Sequence, residues 1–211
     1  RCVDTRTNVS LTLEALSLEA TSLKHGNPQP ITIGGSQHGT NVEMNNVNIN
    51  APLGYGIISF VRTSLTATNC NIDAYGALYV KENDASDSEF TLTNCNLQAL
   101  PPASSDPTNN FALIAIRANN VTVNVNGGSL EAEGVVSAFN LHGESNWGTV
   151  YAEGCTIEVA KGTTIEGDII LEAKQNFETN TIILPTEYST DLNTEGFYLK
   201  DNGNGTVTPT K

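Results

Sequence analysis

The chain has 211 residues and a formal net charge of −13, with ten Lys and Arg against 23 Asp and Glu. That balance argues against nucleic acid and anionic membrane surfaces as partners, and no apolar run approaches the length of a helical membrane span. The length suits a single domain covering residues 1–211.

Residues 1–8 read as an entry segment. From residue 9 onward the chain repeats itself, with copies at 9–20, 40–51, 63–74, 88–99, 121–132 and 148–159. Each copy is anchored on one aliphatic residue: Leu18, Ile49, Ile72, Leu97, Leu130 and Ile157. The anchors are 23 to 33 residues apart, and a constant core at irregular spacing is what fixed strands joined by loops of different length give. Seven residues before the anchor stand Leu11, Val42, Leu65, Phe90, Val123 and Val150; two after it stand Ala20, Ala51, Ala74, Ala99, Ala132 and Val159. Alternation on both sides of the anchor predicts strands with one buried face.

The alternation slips by one residue inside each copy, at Ala15, Asn46, Asn69, Asn94, Gly127 and Gly154. Asn and Gly tolerate positive φ, and one residue in that conformation turns a strand through a corner. Ala15 does not suit such a corner, so the first copy is expected to be a distorted end. The next column, Leu16, Val47, Cys70, Cys95, Gly128 and Cys155, returns to the interior. Its cysteines read as a ladder of buried thiols acting as small hydrophobes; the Cβ vectors of stacked residues run side by side and do not converge for a disulfide, and no zinc spacing is present.

A third strand follows each copy. It is expected at Ile31–Ile33, after Gly56, after Gly76, at 111–116 following the Pro-rich insertion 100–110, after Gly134 and, in degraded form, at 162–165. Beyond 160 the repeat fades. Residues 169–171 and 182–184 supply atypical final turns, and the Asn-Gly signals in 196–208 predict a hairpin.

The Asn-Cys-Asn-Ile and Asn-Cys-Asn-Leu runs at 69–72 and 94–97, with their Asn and Cys columns, resemble the right-handed β-helix of the pectin-lyase-like superfamily. The resemblance covers residues 9–171, with 172–211 as atypical turns and cap. It implies an all-β fold, a right-handed parallel β-helix (solenoid) of about six to eight rungs. The alternative architecture is a β-sandwich. Asn46, Asn69, Asn94, Cys70, Cys95 and Cys155 are then structural ladder residues. The C-terminal segment also resembles short Asp-Asn-Gly segments of bacterial cell-surface proteins.

Carboxylates are few where chemistry would need them. The outward column after the anchor reads Glu19, Asn50, Asp73, Gln98, Glu131 and Glu158, so Glu131 and Glu158 are expected as neighbours. They are the candidate calcium site, since hard cations want several oxygen ligands; a solvated acidic face is the plainer reading. The loop 82–89 concentrates Asp84, Asp87 and Glu89 without the Gly and spacing of an EF-hand. Thr66, Thr68, Thr91 and Thr93 form an outward array interrupted by Glu43, Asn45, Asn124 and Asn126, too short for an ice-binding surface. The loop 141–148 holds Trp147, the one Trp in the chain. With His142 and Glu144 it is the candidate ligand-binding site, because sugar C–H faces pack on aromatic rings.

No catalytic residue is assigned. Lyases of the resembled group need calcium-binding acids with an Arg or Lys base, and hydrolases need paired Asp. Arg62 and Arg117 have no Asp cluster beside them in the pattern, and His25, His38 and His142 all fall in loops. The leading expectation is a non-catalytic extracellular module of a bacterial surface or secreted protein, binding a glycan or another protein. No cofactor other than calcium is implied. A divergent polysaccharide lyase or glycoside hydrolase is the alternative, and a structural spacer the second. A surface low in charge, rich in Asn, Thr, Ser and Gly, fits an extracellular location. Opening at Arg1 and closing on Thr-Pro-Thr-Lys, the chain reads as a piece of a longer protein that carries a secretion signal and an anchor.

Overall fold

A computed structural model describes residues 2–5, 9–21, 29–34, 39–81, 83–100, 112–132, 137–141, 152–167, 169–172, 180–188, 192–193, 198–204 and 206–210. Apart from two single 3-10 turns, Asn83–Ala85 and Thr186–Tyr188, every regular element among them is a strand. In chain order these are β1 (Val3–Thr5), β2 (Ser10–Glu14), β3 (Ser17–Glu19), β4 (Ile31–Ile33), β5 (Thr40–Asn45), β6 (Asn48–Ser59), β7 (Thr63–Thr68), β8 (Asn71–Lys81), β9 (Glu89–Ala99) and β10 (Ala112–Arg117). They continue with β11 (Thr122–Ala132), β12 (Ser137–Leu141), β13 (Thr156–Val159), β14 (Thr164–Gly167), β15 (Ile169–Glu172), β16 (Thr181–Pro185), β17 (Leu192–Asn193), β18 (Tyr198–Asp201) and β19 (Thr206–Thr210).

The strands form three parallel ladders. The first joins β2, β5, β7, the first half of β9, the first half of β11, β13 and β16. The second joins β3, the starts of β6 and β8, the second halves of β9 and β11, and β14. The third joins β1, β4, the ends of β6 and β8, β10, β12, β15 and β17. The chain visits the first, second and third ladder in turn and then begins again one strand spacing along, about 4.8 Å.

Period-2 patterning decides what each ladder buries. In β5 and β7 residues alternate buried and exposed, so Val42, Met44, Leu65 and Ala67 face inward while Glu43, Asn45, Ser64 and Thr66 face solvent. Ile49, Ile72, Leu97 and Leu130 do the same in the second ladder, and Ile31, Ile57, Leu78 and Ile114 in the third. One contiguous core runs along the stack. Burying each such Leu, Ile or Phe contributes about 1.5–3 kcal/mol.

The corners between the first and second ladders are residues with positive φ: Asn46 (53°), Asn69 (54°) and Asn94 (51°), followed by Gly127 (80°). Ala15 also takes this conformation, with φ 51°, and β2 and β3 pair in register with β5 and β6. The first repeat is therefore regular, contrary to the sequence expectation. Its Ala N–H donates to the Asn45 carbonyl, as Asn46 N–H does to Thr68 and Asn69 N–H to Thr93, and these bonds hold the corner where Ala alone would avoid it.

The sixth repeat departs from the sequence alignment. Ile157 pairs with Val123, not with Leu130, whose partner is Ile165. Residues 156–159 thus belong to the first ladder, and 164–167, which overlap the stretch 162–165 expected in the third, belong to the second. Register carries Gly162 (φ 91°) into line with Gly127. Gly154 (φ 67°) instead turns a different corner, shared with Asp87 (58°) and Asn120 (54°). Cys155 accordingly leaves the cysteine column and stands beside Val121. The physical reason is degeneracy: first and second strands share one alternation, so sliding by a whole strand preserves every inward and outward assignment.

At the C-terminal end, β18 and β19 form the expected antiparallel hairpin, turning through Gly203 with φ 74°. Strand β19 also pairs antiparallel with β16. The pairing takes up the last two residues of β16 and so shortens the open edge of the first ladder, whose N–H and C=O groups would otherwise face further chains.

Candidate functional site

Trp147, His142 and Glu144 lie outside the described residues, as do His25 and His38. The two proposed calcium ligands are described, and the structure does not bring them together. Glu131 stands in the second ladder between Gln98 and Glu166, while Glu158 stands in the first ladder beside Asn124. Glu131 accepts a hydrogen bond from Ser129 Oγ at 3.2 Å. Among the described residues no group of three or more His, Cys, Asp or Glu side chains converges as metal ligands would. In the same column Asp73 is held above the usual carboxylate range, first by partial burial and then by the charge of Glu131.

The polar residue beside each second-ladder anchor forms an amide ladder. Asn71 Nδ2 donates to Asn48 Oδ1 at 2.8 Å, and Asn96 Nδ2 donates to Asn71 Oδ1 at 2.9 Å. Ser129 Oγ lies 3.2 Å from Asn96 Oδ1 as well as from Glu131 Oε1, so its one O–H continues the line when it turns to Asn96. An amide can donate to one neighbour and accept from the next, so stacking satisfies it as no single carboxylate could.

The cysteines divide by position. All four are free; Cys2 is exposed and Cys70, Cys95 and Cys155 are buried. Cys70 and Cys95 are neighbours in one column and donate to the Thr68 and Thr93 carbonyls. The hydrogen bond between the two thiols favours the anion on Cys70 and disfavours it on Cys95, where burial pushes further up. Burial, partly offset by hydrogen bonds from the backbone at Val121 and Asn120, raises Cys155 to about 11. Its thiol donates to the Ala118 carbonyl at 3.2 Å. None of these thiols has a histidine or metal partner among the described residues.

The most differentiated surface is the outer face of the third ladder. Here the alternation fails: Tyr55, Ile58, Ala112 and Ala115 are all buried and form a second apolar cluster, separate from the main core, with Phe60 and Tyr79 packed against it. Tyr55 lies over Gly76, where a Cβ would meet the Tyr55 ring and come within 2.7 Å of the Ala112 carbonyl oxygen. A glycine is needed there so that the ring can lie against the strand. The Tyr55 and Tyr79 rings pack 4.8 Å apart, tilted by 34°. Burial, and next the Tyr79 hydroxyl, push the Tyr55 phenol well above its ordinary value.

Two cations border this cluster. Arg117 and Lys81 are register partners in β10 and β8. Phe60 follows the last register pair of β6 with β8, Ser59 and Val80, which aligns it with Lys81. Lys81 Nζ sits over the Phe60 ring, 5.3 Å from its centroid. Arg117 Nε is buried without a hydrogen-bond partner. The sequence signal was present in Gly-Ile-Ile-Ser, Gly-Ala-Leu-Tyr-Val and Ala-Leu-Ile-Ala-Ile: continuous apolar runs mark strands covered on both faces.

Two further recesses among the described residues are polar. A recess of about 370 Å³ opens on the second ladder between Glu19, Asn48, Asn50, Asn71 and Asp73. Another, of about 420 Å³, lies on the first ladder between Thr12, Glu14, Glu43, Thr66 and Thr68. Both offer hydrogen-bonding amides, hydroxyls and carboxylates, and neither pairs a nucleophile with a base. No protein-family model matches the chain, and comparison with curated proteins and with solved structures gives no match.

Proposed function

We propose that this chain is a non-catalytic, extracellular binding module of a bacterial surface or secreted protein, and that its stacked ladders are the rungs of a right-handed parallel β-helix of the pectin-lyase-like type. The cyclic visiting of three parallel ladders supports the β-helical reading, as does the recurrence of positive-φ corners between the first two. The observation that carries the binding role is the outer face of the third ladder. It gathers Phe60 and Tyr79, both partly exposed beside the buried Tyr55, on one face, and two of the chain's ten Lys and Arg beside them. Aromatic side chains with polar edges are the common platform for sugar rings and for protein hot spots.

The test is a glycan array run beside degradation assays on a panel of acidic and neutral polysaccharides. Binding without release of product is the expected result. Product release above a no-protein control would overturn the reading in favour of a lyase or hydrolase. Binding to neither glycans nor surface proteins would leave the rod as a spacer.

A further inference from the structure

We propose that Lys81, Arg117, Phe60 and Tyr79 form a binding site for a sugar ring that carries an oxyanion, a sulfate, phosphate or carboxylate group. This deepens the binding-module reading and rests on it. Neighbouring parallel strands are about 4.8 Å apart, and like charges at directly opposed positions destabilise a sheet. The chain nevertheless aligns Lys81 with Arg117, although it has only ten Lys and Arg against 23 Asp and Glu with which to separate or neutralise them. Among the described residues no carboxylate pairs with either cation, and the Arg117 Nε has no hydrogen-bond partner at all. Arg117 is only partly buried, and although its Nε is closed to solvent, the terminal nitrogens of a guanidinium donate to two oxygens of one anion, while an ammonium beside it supplies a third, less directional contact.

The apolar half of the site is equally specific. Phe60 lies under the Lys81 ammonium on the side away from Arg117, and Tyr79 is the next outward residue along β8 itself, so two rings border the pair of cations. A ring-shaped body with C–H faces and one anionic substituent satisfies both halves at once. Net charge makes the prediction discriminating, because a protein of −13 repels polyanions unless a local site captures them.

The experiment uses dextran, dextran sulfate, phosphorylated dextran and carboxymethyl dextran, which share one backbone and differ in the anion. Binding of the 211-residue chain is measured by biolayer interferometry at fixed ionic strength. Retention by at least one charged dextran and not by dextran is expected, and the arm that binds best identifies the anion. Lys81→Gln and Arg117→Gln should each weaken binding about tenfold or more, Phe60→Ala should weaken it further without changing the salt dependence, and Lys161→Gln, at an exposed turn, should leave it unchanged. Circular dichroism verifies folding, with Arg117→Lys as the substitute if Arg117→Gln unfolds. No binding to any charged dextran overturns the proposal, as does equal loss in Lys161→Gln. Capture of neutral glycans or of a protein on the array, with charged dextrans ignored, overturns this site while leaving the binding-module reading in place.

Discussion

Gly128 is the position where the repeat pattern and the three-dimensional contacts make opposite demands. Its column otherwise reads Leu16, Val47, Cys70 and Cys95, so Gly128→Cys restores the repeat and by pattern alone should be harmless. The backbone says otherwise. Gly128 has φ 82°, and a Cβ there would sit on the Cys95 carbonyl oxygen and 2.7 Å from the Cys95 nitrogen and carbonyl carbon. These are backbone atoms in the paired strand β9, so no rotamer relieves the contact. A side chain in the left-handed region costs about 1–2 kcal/mol, and shifting the strand to make room loses one or two ladder hydrogen bonds at about 1 kcal/mol each. The conformational entropy that a glycine costs on folding offsets about 0.5–1 kcal/mol. The net loss is about 1–3.5 kcal/mol, which in a chain of this size lowers Tm by about 2–14 °C. Gly162→Ala is the control: φ is 91° but nothing lies within 4 Å of its Cβ position, so only backbone strain acts and the loss is about 1 kcal/mol. Gly127→Asn is a second control, because its Cβ meets only the Asn94 Oδ1 at 2.8 Å, the end of a rotatable side chain. Thermal unfolding followed by circular dichroism at pH 7 reads all three. A Tm for Gly128→Cys no lower than that of Gly162→Ala would refute the clash argument.

Ala15→Asn should stabilise the fold by about 0.5–1 kcal/mol, since Asn accepts the left-handed corner more readily than Ala; an unchanged urea midpoint would mean that Ala15 does not occupy that corner. Cys155 holds its proton to about pH 11 in the fold, against an ordinary value of 9.0. The unfolded chain releases that proton first, so its contribution is full below pH 9 and is lost as pH rises toward 11, about 2–3 kcal/mol in all. Cys155→Ala should remove that share of the alkaline fall, and parallel stability curves for the two proteins would contradict it. Asp73 is raised by burial and by Glu131, so its ionised form costs stability at neutral pH and the cost disappears once the carboxyl is protonated. Asp73→Asn, flanked by Asn50 and Gln98 in its column, should therefore be the more stable protein at pH 7 and lose that advantage in acid; a difference independent of pH would count against the assignment.

Much of the architecture was legible because it depends on periodicities of two kinds. Alternation at period 2 identified the inward faces of β5, β7, β9 and β11, and the one-residue slip at Asn46, Asn69 and Asn94 located corners that only a few residue types accept. Propensity weighs a residue alone, whereas Ala15 is held in its corner by the bond its own N–H donates to the Asn45 carbonyl. The candidate site was less legible. In the sequence Glu158 stacks on Glu131 because residues 156–159 imitate a second strand, and only the pairing of Ile157 with Val123 assigns that segment to the first ladder.

What the amino-acid sequence determined by itself is the local rule: which residues face in, where the chain turns, and which final segment folds back as a hairpin. These follow from side-chain polarity and allowed φ, properties that each residue carries with it. Only the tertiary structure decided which strand stacks on which in the sixth repeat, because two ladders with one alternation are interchangeable until their hydrogen bonds form. It also decided that Phe60, Lys81 and Arg117, from three different repeats, share one outer face. Residues 21 and 36 positions apart in the chain become neighbours through strand register, and register is a property of pairs, not of residues.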